Sequence, residues 1–178
     1  MFQEIIDFWF LEIEPASWWK KDGNFDQQII ARFSEIHSKA SKCELYNWRN
    51  SAEGRLAEII ILDQFSRNMF RDSASAFAND PLALALAQEA ISVGADLEVE
   101  QQRRSFFYLP FMHSESAEIH EQAVKIYQAK GTEDNMNFEL RHKQIIDRFG
   151  RYPHRNKALG RTSTAEEIEF LSQPGSSF

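Results

Sequence analysis

At 178 residues the chain has room for one domain with a full core, since a chain of this size buries roughly 70% of its unfolded surface. Its 43% hydrophobic and 26% charged residues, with 15 Phe and 4 Trp, are globular values that exclude general disorder, and a net charge of −7 disfavours a nucleic-acid surface. Cys43 alone excludes an intrachain disulfide, and no uncharged run approaches the roughly 18 residues that span a bilayer, so a cytoplasmic protein with no membrane partner is expected. The opening Met-Phe-Gln-Glu-Ile-Ile-Asp carries two acids where a signal peptide would be apolar.

Phe2, Ile6, Trp9 and Ile13 recur at helical spacing and predict a short first helix ending near Pro15. Asn24 with Gln27 reads as a capping box for a helix whose apolar face runs through Phe25, Ile29, Phe33, Ile36 and Ala40. Ser51 can cap the next, which carries Leu56, Ile59, Ile60 and Leu62 into a stretch studded with polar groups. Asp80 at the N-cap, Pro81 in the first turn and Gly94 past the end bracket a helix over Leu82 to Val93. A helix from about Val99 carries Phe106 and Phe107 toward Pro110, where it should kink or stop. Helices from Ser116 to Lys130 and from about Glu133 to Phe149 are stopped by Gly131 and Gly150, and a Thr164–Glu167 capping box opens a last one to Leu171. With no sustained period-two alternation and no hairpin dipeptide, the fold class is all-α: antiparallel helical hairpins in a bundle or short superhelix, one domain over 1–172 and a flexible tail over 173–178.

Residues 61–71 embed Asp63, Gln64, Arg67, Asn68 and Arg71 in a strongly apolar stretch. On a helix Asp63 and Arg67 stand one turn apart, beside a stripe of Gln64, Asn68 and Arg71, and burying such groups unpaired costs on the order of 2–7 kcal/mol each. They therefore need an internal network, a ligand or a water-filled cavity. Charge is lopsided as well: residues 141–161 carry +6, leaving −13 for the remainder. That basic segment either packs against acidic helices or faces an anion.

Three blocks together are similar to a mainly bacterial family, domain of unknown function 924: Ile61 to Arg71 with Ala76 to Pro81, Phe107 to Glu115, and Arg148 to Asn156, flanked by the Trp-rich start and Leu159-Gly160-Arg161. The resemblance implies an all-helical fold like that of tetratricopeptide-repeat proteins, without their repeat consensus, and brings no established activity. This chain departs from the family pattern at Ser66 (often proline), Asp72 (usually glycine) and Ala165 (often proline).

Several groups are candidates for chemistry. His113 and Glu115 follow Pro110, where side chains two apart can converge, for acid–base work or to satisfy the broken helix end. Glu139-Leu140-Arg141-His142 sets a carboxylate and an imidazole one turn apart, but the device occurs once where a di-iron bundle needs it twice; a mononuclear site of His142 with His113, His154 and Asp63 or Glu115 is chemically possible, but no ligand spacing specifies it, so no metal and no cofactor is expected. Arg148 to Asn156 presents three arginines and His154 on irregular backbone, either gripping carboxylate or phosphate or pairing with interior acids such as Asp63. His37 and His120 are read as solvent-exposed, and Trp9, Trp18, Trp19 and Trp48 as core. The expectation is a polar pocket for a small anionic molecule, with His113, Glu115 and His154 in catalytic positions and Asp63, Arg67, Asn68, Arg71, His142, Arg151, Arg155 and Asn156 as binding groups. The alternative is an interaction scaffold for a protein partner, its buried polar network purely structural.

Overall fold

The computed structural model describes residues 2–177, all of whose regular structure is helical. The chain divides into two compact units, Met1–Arg71 with Ser75–Pro110, and Asp72–Ala74 with Phe111–Phe178. No helix among the described residues is long and apolar enough to cross a membrane.

In the first unit, α1 (Phe2–Asp7) runs into a π-helical turn, Phe8–Glu12. Helix α2 (Gly23–Ser41) is capped by Asp22, whose carboxylate accepts the amides of Asn24 and Phe25 at 2.8 and 3.3 Å. This replaces the predicted Asn24–Gln27 box: an acid stands two residues upstream, and its oxygen reaches the free amides first. Helix α3 (Ala52–Ile60) starts at Ser51, which caps Gly54 as predicted, and continues through a π turn, Ile61–Phe65, into α4 (Ser66–Met69). Gly54 is required here, because a Cβ would stand 2.1 Å from the Trp48 carbonyl oxygen. Burial of Leu56, Ile59 to Leu62 and Phe65, all at 0% exposure, drives the stretch inward and takes its polar groups with it. Around it Phe8, Trp9, Phe33 and Phe65 form an aromatic core with centroid separations of 4.8 to 6.0 Å. Trp9 is fully buried, whereas Trp19 is 64% exposed, against its predicted core position: it lies flat on Phe106 with its outer face open to solvent.

Helix α5 (Asp80–Ser92) is entered from Asn79, and the Asp80 carboxylate turns to Arg67 instead of capping. Helix α6 (Gln101–Met112) passes Pro110 and stops two residues later.

Between the two parts of the first unit, Asp72 takes φ +62°, the left-handed conformation that glycine adopts without cost. Ala165 occupies the first position of the last helix, where proline fits because its missing amide hydrogen would have no partner in the helix.

The second unit contains a helical hairpin, α7 (Ala117–Lys130) and α8 (Glu133–Phe149), then a 3-10 turn, Pro153–Arg155, and α9 (Ala165–Leu171). Gly150 closes α8 at φ +66° with its amide on Ile146 O, and the Thr164–Glu167 capping box is present. Ile145, Ile146 and Tyr152 form the core, with Phe149 and Phe170 against it. After α9 the chain turns at Gln173–Gly175, and the Ser176 hydroxyl donates to Leu171 O at 3.2 Å.

Candidate functional site

The polar stripe of the first unit is satisfied by side chains of that unit. Arg67 Nη1 donates to the Asp63 carbonyl at 2.7 Å and lies 3.1 Å from its carboxylate, while its fork grips Asp80 at 3.0 Å through both nitrogens. Gln64 donates to the Asp63 carboxylate, and Arg71 (through Nε and Nη2) and Asn68 converge on Asp26 at 2.7–2.9 Å. Asp63 and Asp26 are 1% and 7% exposed, so these paired contacts relieve the desolvation that their burial imposes. His37 is buried, contrary to its predicted exposure, with Nε2 2.8 Å from Ser66 Oγ. It lies four residues after Phe33 and three before Ala40, on the apolar stripe, and burial holds its pKa below the usual imidazole range.

The arginine-rich segment of the second unit forms a continuous chain of bonds. Glu115 accepts the Tyr152 amide at 2.7 Å and both Arg161 nitrogens at 2.7 and 2.9 Å. Arg161 Nε donates to Asn156, Asn156 donates to Glu167, and Glu167 receives Arg151 bidentately at 2.6 and 2.8 Å. Burial pushes the Glu115 carboxyl up, but Arg161, the Tyr152 amide and Arg155 outweigh it and leave it below the usual range. The Arg151 guanidinium, helped by the Thr164 amide and Asn156, takes Glu167 down to about 2. Arg155 donates to His113 O at 2.9 Å and lies over the Tyr152 ring at 4.5 Å. Of the two sequence readings of this segment, pairing with acids is what the second unit shows, the acids within that unit being Glu115, Glu166 and Glu167.

Tyr152, which sequence reasoning passed over, is the hub. The imidazoles of His154, His142 and His120 stand 5.5, 5.8 and 6.3 Å from its ring, and its hydroxyl donates to Met112 O at 2.5 Å. His120 is fully buried, not exposed: it shares a face with Ala123 and Tyr127, three and seven residues on, a pattern legible in the sequence. Its Nε2 is 2.9 Å from Ser114 O and 3.2 Å from the Tyr152 hydroxyl, and its Nδ1 is 2.6 Å from Glu139 Oε1. A carbonyl only accepts, so Nε2 carries a hydrogen and Glu139 and Nδ1 share one proton. Burial raises the Glu139 pKa, and His120 and Lys143 offset this only in part. His142 points elsewhere, to Phe138 O at 2.8 Å, so the Glu139–His142 pair does not converge. Burial, reinforced by the neighbouring His113, His120 and His154, holds His142 down to about 3. No three carboxylate, imidazole or thiol groups assemble as a metal site among the described residues.

One open groove lies within the second unit. Helix α8 lines it with Phe138, Arg141, Ile145, Arg148 and Phe149, Phe170 of α9 borders it, and the turn at Pro174 and Gly175 forms its rim; its volume is about 550 Å³. Arg148 stacks on Phe149 at 4.7 Å and reaches Glu166 Oε1 through Nε and Nη2, both at 2.8 Å. Arg141 stacks near Phe138 at 5.8 Å, and among the described residues no carboxylate pairs with it.

None of the curated proteins compared matches the chain. A solved structure of a protein of unknown function from Agrobacterium tumefaciens is similar throughout, with a TM-score of 0.90 at 40% identity, covering 96% of this chain and 96% of that one. The model of the bacterial proteins of unknown function grouped as domain of unknown function 924 matches residues 5–175, and the chain belongs to that family.

Proposed function

We propose that the protein binds a small anionic molecule, and that the groove along α8 is where it does so. The observation that carries this reading is Arg141: an exposed guanidinium at the mouth of a roomy groove, unmatched by any described carboxylate in a chain whose net charge is −7. A cation so placed raises the local concentration of anions, and its fork fits carboxylate or phosphate. The polar stripe around Asp63 and the Arg151–Arg161 segment then hold the fold together. Glu115 gives its oxygens to Arg161 and a backbone amide and is not turned to an imidazole, which supports binding over acid–base work at that carboxylate.

A panel of carboxylates and inorganic phosphate tests this by thermal unfolding. A ligand at about a hundred times its Kd stabilises by about 2.7 kcal/mol, which raises Tm by roughly 5 °C or more. Arg141→Ala is expected to abolish the shift. A flat response across the panel, or an equal shift in the variant, refutes the reading.

A further inference from the structure

We infer that the α8 groove takes an elongated amphipathic carboxylate, an acid whose head group meets Arg141 and whose apolar body lies along Ile145 toward the Phe149–Phe170 pair. This rests on the anion-binding reading and names the class of ligand. Phe138, Arg141, Ile145 and Phe149 follow one another at three- and four-residue spacing, so one stripe of α8 carries the unmatched cation Arg141, beside Phe138, at one end and the Phe149 ring, beside the Glu166-paired Arg148, at the other. From Arg141 to Phe149 the helix rises about 12 Å, a span that an extended chain of roughly ten carbons fills. Phe149 and Phe170 face each other with centroids 5.1 Å apart and are each only half-buried, leaving ring surface for an alkyl or aryl body.

The groove already shows how it receives a carboxylate. Arg148, stacked on Phe149, holds Glu166 Oε1 at 2.8 Å through two nitrogens, and this pair is open to solvent, with side chains 47% and 60% exposed. An exposed pair of this kind is held weakly and exchanges readily. Glu166 is therefore a competitor within the chain for the second cation of the groove, and a phosphate or a short acid gains nothing from the apolar floor.

The experiment is calorimetric titration of the full-length protein with decanoate below its micellar concentration, butyrate, decanoate methyl ester and inorganic phosphate. Each buried methylene is worth up to roughly fourfold in affinity, so even a partly open floor is expected to give decanoate at least a tenfold advantage over butyrate. The neutral ester is expected to lose at least tenfold against decanoate, as is decanoate with Arg141→Ala. Gln144→Asp, which sets a negative charge on the exposed lining, is expected to weaken decanoate as well, and Glu166→Gln to tighten it several-fold by releasing Arg148. Butyrate or phosphate binding as tightly as decanoate, still dependent on Arg141, overturns the amphipathic class and leaves the anion reading standing. Decanoate binding that is indifferent to Arg141 and Gln144 overturns the site, and absence of Arg141-dependent binding by every probe overturns both.

Discussion

Replacing Glu139 separates two roles that the buried His120–Glu139 pair could play in the hairpin of α7 and α8. Both side chains are at 0% exposure, and the two are joined at 2.6 Å. Glu139→Ala leaves the imidazole Nδ1 in a dry interior with no group to meet it and opens a void where the carboxyl stood. Breaking a buried pair by removing one partner costs about 3–5 kcal/mol, or a Tm loss of roughly 10 °C for a chain of this size. Glu139→Gln has a different outcome. Ser114 O already requires the hydrogen on Nε2, so neutral His120 presents a bare Nδ1, and a glutamine amide can donate to it. That variant is expected to lose less than about 1.5 kcal/mol. Urea unfolding followed by far-UV circular dichroism reads both variants; fluorescence does not serve, because all four tryptophans lie in the first unit. A glutamine variant as unstable as the alanine one refutes the assigned tautomer, and an alanine variant within about 1 kcal/mol of wild type refutes the tightly packed pair.

Two further outcomes follow from burial. His142, held down to about 3 from an ordinary 6.5, stays neutral in the folded chain while the unfolded chain takes up a proton. Its contribution is complete above pH 6.5 and is lost as pH falls toward 3, at about 1.4 kcal/mol per pH unit; urea midpoints from pH 8 down to 4 should fall more gently in His142→Asn, and an unchanged slope contradicts this. In the first unit, Asp26→Ala removes the carboxylate that Arg71 and Asn68 share, with an expected loss of roughly 2–4 kcal/mol by tryptophan fluorescence, and a loss below about 0.5 kcal/mol would show that water replaces the carboxylate freely.

The sequence by itself determined the helices, because the forces that start and stop them act within a few residues. Ser51, the Thr164–Glu167 box, Gly94 and Gly150 mark ends that the structure reproduces, and apolar spacing gives the segments between. Where two local signals competed, at Asp22 and Asn24, side-chain geometry chose. It also determined that the groups from Asp63 to Arg71 need partners, in an internal network, a ligand or a water-filled cavity, since their apolar surroundings make burying them unpaired costly.

Only the tertiary structure decided what satisfies them. Asp26 is 45 residues from Arg71, Ser66 is 29 from His37 and Glu139 is 19 from His120, and no local pattern encodes a partner at such distances. The same holds for the arginines near the C-terminal end: a guanidinium suits a ligand carboxylate and a glutamate equally well, and which acids stand within reach of Arg148, Arg151 and Arg161 is decided by the fold. The groove along α8 is bordered by α9 and by the chain after it as well as by that helix, with Phe170 packed against Phe149, a contact between residues 21 apart that no local pattern encodes.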